Sequence, residues 1–359
     1  MLNRSIKFLL TVLALALLPA GSAVAAGHSG AVVFSRAIVT TEKTAGGEVE
    51  KAEGGLYAAR DGRLNQLTED PTDGEPDFSA DGRKIAFVRS GDVWAMRADG
   101  TGQHKLTSGP EVDSRPQFDP DGHYVVFQRA AAKGSPRDLY RVNLGGSARP
   151  LASGAGDEHE ASFSPDGKTV VFVRSLAETG GGFADDIYSV RPSGAGLARL
   201  TKTGHIDEFS PRYFKGGIVF SRGQSGDGPG AYADIFTMRG NGAKVKVLVA
   251  GAGSSFVEDV APAAQLLLFR RDQGLWVQKI GPGRAHKLSE VADGSKTNSV
   301  FSSDGRKVAA FIATKEADVL SAIDVASRRS AQLAEGFELE SGAAATTIGS
   351  VMTWQPVRH

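Results

Sequence analysis

Phe78-Ser79-Ala80-Asp81-Gly82-Arg83-Lys84-Ile85-Ala86-Phe87-Val88-Arg89, followed by Asp92-Val93-Trp94, is a phrase that recurs along this chain. Variants occupy Phe118 to Arg129, Phe163 to Arg174 and Phe301 to Ala313, and a repeat on this scale decides the architecture before any local pattern does. Aligning each unit on the aromatic that closes its second strand gives Phe34, Phe87, Phe127, Phe172, Phe220, Phe269 and Phe311, spaced 40 to 53 residues apart. That is seven units at propeller-blade spacing. The expected fold is all-β: a seven-bladed β-propeller of four-stranded antiparallel blades, with six blades as the alternative count.

The second strand of a unit, such as Lys84 to Val88, is apolar on both faces and must be covered on both sides, as it would be between two blades. The Asp81-Gly82 step, repeated as Asp121-Gly122, Asp166-Gly167 and Asp304-Gly305, supplies the positive backbone angle of a tight turn between strands one and two. If Ser90-Gly91 is a two-residue turn, Arg89 faces Asp92, Phe87 faces Trp94 and Ile85 faces Met96. The sixth unit follows the same register, with Phe269 opposite Trp276 across Asp272-Gln273. Arg129 with Asp138, Arg174 with Asp186 and Arg222 with Asp234 repeat the first pairing, and such rows are read as hairpin ion pairs rather than as a binding motif. Strand four ends in Gln66-Leu67-Thr68, Lys105-Leu106-Thr107, Arg199-Leu200-Thr201 or Lys287-Leu288-Ser289.

The first unit lacks an inner strand, and Ser350-Val351-Met352-Thr353-Trp354-Gln355-Pro356 reads like the start of another, with Trp354 in the place of Phe78. The expected closure is therefore one blade shared by both termini, which removes free sheet edges.

Composition places the chain. Arg4 and Lys7, the apolar run Phe8 to Leu18 and Ala23-Val24-Ala25 form the three parts of a secretory signal over residues 1–26, leaving 27–359 as one propeller domain. The apolar run is too short to span a bilayer, so no membrane span is expected after cleavage and the location is periplasmic or secreted. Without cysteine, the core must provide stability with no disulfides. Outside the signal 39 basic residues face 41 acidic ones, a balance that disfavours nucleic acid as a partner.

The phrases Pro116-Gln117-Phe118-Asp119-Pro120-Asp121-Gly122 and Phe163-Ser164-Pro165-Asp166-Gly167-Lys168 resemble the WD-like propeller repeats of the TolB family, and the resemblance runs from Gly30 to Pro356. It implies a periplasmic ring that binds a protein partner at the cell wall. The chain departs from the family pattern in having seven units where TolB has six, and in leaving no space for an N-terminal domain between Ala26 and Ala31. Similar repeats also accompany the catalytic domain of prolyl oligopeptidase-type peptidases, but the chain has no G-x-S-x-G elbow.

Loops on a rigid scaffold carry function. Those joining strands two and three vary most: eighteen residues from Ala37 to Gly54, eight from Ala130 to Arg137, eleven from Ser175 to Asp185 and eleven from Gly223 to Ala233. On the same face, the segments entering the inner strands are acidic: Asp73 and Glu75, Glu111 and Asp113, Asp157, Glu158 and Glu160, Asp207 and Glu208, Glu258 and Asp259. As a ring of carboxylates at the channel mouth they would attract a cationic peptide segment, or hold calcium, which prefers oxygen ligands; no other cofactor is implied. His159 and His205 lie beside them, the residue type a metal-dependent lyase acting on uronic acids would use. The leading reading is a non-enzymatic binding module with a protein or cell-envelope partner. The alternative is a carbohydrate-active enzyme working at the channel mouth.

Overall fold

The hairpin fixed by Ser90-Gly91 is the unit from which the molecule is built. In a computed structural model of the chain, describing residues 30–44, 47–177, 183–204, 206–224, 232–251, 253–291, 299–313, 318–333 and 344–356, Arg89 pairs with Asp92, Phe87 with Trp94 and Ile85 with Met96. Ser90 and Gly91 have φ of 50° and 82°, a turn whose twist matches its strands. The sixth unit repeats this register, Phe269 lying opposite Trp276.

Seven such units form seven four-stranded antiparallel sheets. Blade 2 comprises Gly74–Phe78, Lys84–Arg89, Asp92–Arg97 and His104–Lys105, and blades 3 to 7 follow in the same order from Val112 to Gln332. Blade 1 takes its inner strand, Ala344–Trp354, from the far end of the chain; it pairs with Val32–Thr44, which pairs with Gly47–Arg60 and then Arg63–Gln66. Trp354 lies opposite Val32 and Met352 opposite Phe34. Gln355 locks the join: its N–H donates to Ala31 O at 2.8 Å and its Nε2 to Gly82 O in blade 2 at 2.9 Å.

The seven aligned aromatics are the core. Phe34, Phe87, Phe127, Phe172, Phe220 and Phe269 are fully buried and Phe311 nearly so. Each apolar cluster draws on neighbouring sheets; Phe34, Trp354, Val300 and Phe311, for example, join blades 1 and 7. The strands are thus covered on both faces, as their composition requires.

The Asp-Gly turns carry positive φ at Gly82, Gly122, Gly167 and Gly305. A Cβ on Gly82 would also stand 2.7 Å from Pro356 O, so the turn's glycine is needed for closure as well as for its backbone angle. The leucine phrases have a related purpose. Leu106 is buried, and the Thr107 hydroxyl accepts the N–H of Val93 at 2.8 Å; Thr68 and Thr201 do the same for Leu56 and Ile187. They cap donors left by the short fourth strand.

Two expectations need correcting. Residues 37–54, read as a loop, belong largely to a strand hairpin: the pairing of Val32–Thr44 with Gly47–Arg60 continues out to Thr44 opposite Gly47, and the closing strand reaches Ala344 opposite Thr40. The β-branched run Ile38-Val39-Thr40-Thr41 outweighs the charges around it. The second correction concerns the hairpin ion pairs. Their register is right, but the arginines turn to other partners, described below. The signal at residues 1–26 and His205 lie outside the described residues. Among the described residues no helix is long and apolar enough to cross a membrane.

Candidate functional site

Each arginine at the end of a second strand lies over the aromatic pair of its hairpin. The Arg89 guanidinium is 5.3 Å from the Phe87 ring and 4.8 Å from that of Trp94, and Arg129, Arg174, Arg222 and Arg271 repeat the stacking. Its acceptor comes from the start of the inner strand of the same blade, not from the facing aspartate. Arg89 makes a bidentate pair with Asp73 (2.6 and 2.8 Å) and Arg129 with Asp113 (2.7 and 2.8 Å). Arg174 meets Glu158 at 2.6 Å and Arg222 meets Glu208 at 2.9 Å. In blade 6 the place is taken by Ser255, whose hydroxyl accepts from Arg271 at 2.9 Å. All five acceptors are buried. The facing aspartates go elsewhere: Asp92 to Lys105 at 2.7 Å and Asp186 to Arg199.

A second set of acids stitches one inner strand to the next. Every inner strand from blade 2 to blade 6 has a register shift, and Glu75, Arg115, Glu160 and Ser210 sit at these shifts with φ of 51° to 54°. The Glu75 carboxylate accepts the N–H of Arg115 in the next blade at 2.5 Å, Glu160 that of Ser210 at 2.5 Å, and Glu258 that of Ser299 at 2.9 Å. Asp77 accepts from Phe118 and Asp259 from Phe301, both at 2.8 Å. Burial raises the carboxyls of Asp77, to about 7, and of Asp259 and Glu258, even though backbone donors and, for Glu258, Arg270 oppose it. These groups line a central channel of about 240 Å³ that also contains Arg115, Arg212 and Trp354.

The expected carboxylate ring therefore resolves into two populations. Asp73, Asp113 and Glu208 accept from arginines inside blades, and Glu158 forms an ion pair with Arg174 in the same position. Glu75, Glu160, Glu258 and Asp259 cap amides between blades. Asp157 holds Arg137 in a further bidentate pair (2.8 and 2.5 Å), which keeps its carboxyl low against the effect of burial.

What remains at the mouth is concentrated on blades 4 to 6. Asp185 accepts from Ser175, Asp207 accepts the N–H of Asp185 at 3.4 Å, and His159 Nε2 lies 3.2 Å from Ser175 Oγ. Burial raises the Asp185 carboxyl, and the negative charges of Asp207 and Glu160 raise it further, against the opposing influence of Ser175 and His159. Beside this group are aromatics that sequence reasoning missed. The position following each arginine acceptor runs Gly74, Ser114, His159, Phe209, Phe256 around the ring. Phe209 and Phe256 pack with ring centroids 5.7 Å apart, and Phe256 is 41% exposed. Phe183 and Tyr232, which open the third strands of blades 4 and 5 at the same face, are 71% and 50% exposed. Phe183 also walls a cavity of about 570 Å³ with Lys133, Pro136 and the Arg137–Asp157 pair. The available signal was the acceptor-to-arginine spacing of sixteen residues in blades 2, 3, 4 and 6, which puts the next position at the mouth.

Residues 68–226 match the family model described as the TolB beta propeller domain. No curated protein matches the sequence. Among solved structures, TolB from Acinetobacter baumannii superposes with a TM-score of 0.53 at 16% identity, over 89% of this chain and 82% of that one. Oligogalacturonate lyase from Vibrio parahaemolyticus superposes with 0.62 at 12% identity, over 84% and 100%. Puromycin hydrolase gives 0.63 at 16% identity over 89% of this chain, which spans about half of that enzyme (55%). Likenesses at these identities are likenesses of fold, and the fold alone assigns no chemistry.

Proposed function

We propose that the chain, a β-propeller whose residues 68–226 match the TolB beta propeller domain model, is a non-enzymatic, extracytoplasmic binding module whose partner, a protein of the cell envelope, docks a cationic segment with apolar side chains at the mouth over blades 4 to 6. One observation carries this reading. Most of the acids at the mouth are committed to arginines and amides of the scaffold, whereas over blades 4 to 6 the exposed rings of Phe183, Tyr232 and Phe256, with the half-buried Phe209, stand beside the half-buried carboxylates of Asp185 and Asp207. Large aromatic rings beside fixed negative charge are the usual anchors of an interface, the rings supplying area and the charges orientation. The terminal signal pattern, with Arg4 and Lys7 before an apolar run, supports the location.

The test uses the mature protein and a Phe183→Ala/Tyr232→Ala/Phe256→Ala variant. Because these side chains are exposed, the variant should melt with the parent. Capture of a specific envelope protein by the parent, weakened by salt and lost in the variant, is the expected result. Equal capture by both proteins would refute the docking site.

A second reading, a carbohydrate-active enzyme, is favoured by the line His159, Ser175, Asp185 at the mouth. Release of unsaturated products from polyuronates, followed by absorbance, would establish it and displace the first.

A further inference from the structure

The four Asp-Gly turns lie at the end of the blades away from the mouth, and three of them share one set of contacts. In blades 2, 4 and 7 the hydroxyls of Ser79, Ser164 and Ser302 donate to Asp81, Asp166 and Asp304 at 2.7, 2.7 and 2.6 Å. The same hydroxyls accept the N–H of Lys84, Thr169 and Lys307. Each carboxylate also takes the N–H two residues on, from Arg83, Lys168 or Arg306. The side chains of Lys168 and Arg306 stand 3.9 and 4.0 Å from it. A hydroxyl proton, an amide and, in blades 4 and 7, a cation thus compensate one acid.

Blade 3 changes two of these positions together. Asp119 stands in place of the serine and His123 in place of the basic residue. Asp119 is only 4% exposed, and its Oδ1 takes the N–H groups of both His123 (2.6 Å) and Tyr124 (2.8 Å). Asp121 thereby loses the hydroxyl and the amide that its counterparts receive. Among the described residues no hydrogen bond reaches Asp119 Oδ2, the Asp121 carboxylate or the His123 ring. One ligand atom from each of the three residues lies within 4.8 Å of the others. The two carboxylates, one on a buried side chain, lie close together, and among the described residues neither forms an ion pair with a lysine or arginine. Two carboxylate oxygens and an imidazole nitrogen converge there, where the turns of blades 4 and 7 place a lysine or arginine.

We propose that the turn Asp119–His123 binds a divalent transition cation of the Zn²⁺ class, with Asp119, Asp121 and His123 as ligands and water completing the shell. An imidazole with two carboxylates suits Zn²⁺ ahead of Mn²⁺. Ca²⁺, which selects an all-oxygen shell, fits it poorly. The bound ion supplies the charge that Lys168 and Arg306 supply in the sister turns, on the face opposite the mouth.

Titration calorimetry of the mature chain with Zn²⁺ should show a site that Ca²⁺ does not fill, and Mn²⁺ should broaden the His123 imidazole signals in NMR spectra. The Asp119→Ser/His123→Lys variant copies the blade 4 turn and should fold normally while binding Zn²⁺ at least about 100-fold more weakly, a larger loss than outer-shell changes cause. Should that variant misfold, His123→Ala, an exposed change, is expected to weaken Zn²⁺ in the same direction. No Zn²⁺ heat in the parent, equal affinity in a folded variant, or Mn²⁺ broadening that spares His123 would each overturn the site.

Discussion

Blade 2 and blade 6 solve one problem with different chemistry. In both, an arginine lies over a Phe–Trp pair, and in both the acceptor beneath it is the first residue entering the inner strand. Blade 2 uses the carboxylate of Asp73 and follows it with Gly74; blade 6 uses the hydroxyl of Ser255 and follows it with the exposed Phe256. Blade 6 moves its acid to Glu258, which meets Arg270 at 3.1 Å and reaches across to Ser299 of blade 7. The scaffold requires an acceptor under the arginine rather than a charge. The acids at the mouth are therefore weak evidence for a site, and the residue beside the acceptor is better evidence.

The comparison presumes a closed ring, and opening the ring is its most severe test. Deleting residues 350–359 removes Met352 and Trp354, both buried, and the Gln355 bridge to Gly82. Losing one large buried side chain typically costs about 3–5 kcal/mol, and here two go together with the C-terminal end of the innermost strand of blade 1, Ser350 to Trp354. The truncated chain is expected to aggregate or to lose its cooperative melt by calorimetry. A melt matching that of the full chain would mean that blade 1 does not depend on its C-terminal strand.

Within the closed ring, Asp73→Ala leaves the Arg89 guanidinium without its buried partner and should cost about 3–5 kcal/mol in denaturant unfolding. Asp73→Ser, which gives blade 2 the acceptor of blade 6, should recover part of that loss. A serine variant no better than alanine would show that the two blades are not equivalent.

Asp77 separates channel from blade by its response to pH. Burial raises its carboxyl from 3.8 to about 7, with one backbone donor, Phe118 N–H, opposing. The folded protein thus keeps a proton that the unfolded chain gives up near 3.8. Its contribution is complete below that value and is lost as pH rises through about 7. Asp77→Asn keeps an acceptor for Phe118 and removes the titration, so melting temperature should fall less between about pH 5 and pH 8 than in the parent. Parallel pH profiles would mean that Asp77 is ionised in the folded ring throughout.

Blade number, hairpin register and shared closure were legible because each follows from period and alternation: Phe34 to Phe311 mark the core, and Trp354 falls in phase with Phe78. The partner of Arg89 was not. Asp92 lies opposite in register and Asp73 sixteen residues upstream, and only the inner strand's position over the hairpin decides between them. The mouth aromatics were hidden for the same reason, since the position of Phe209 and Phe256 acquires meaning only after the acceptors are known. The hairpin beyond Ala37 was obscured by charged residues that composition assigns to loops.

That choice of partner yields the smallest prediction. Asp92 pairs with Lys105, whose side chain is 43% exposed, so water screens the attraction and Lys105 remains solvated when its partner is removed. Asp92→Ala should cost about 0.2–1 kcal/mol, several-fold less than Asp73→Ala, although Asp92 is the residue directly across from Arg89. A double-mutant cycle with Arg89→Met sharpens this: coupling should be large with Asp73 and near zero with Asp92. Strong coupling between Arg89 and Asp92 would restore the hairpin ion pair and release Asp73 from the blade, returning it to the mouth as a free carboxylate.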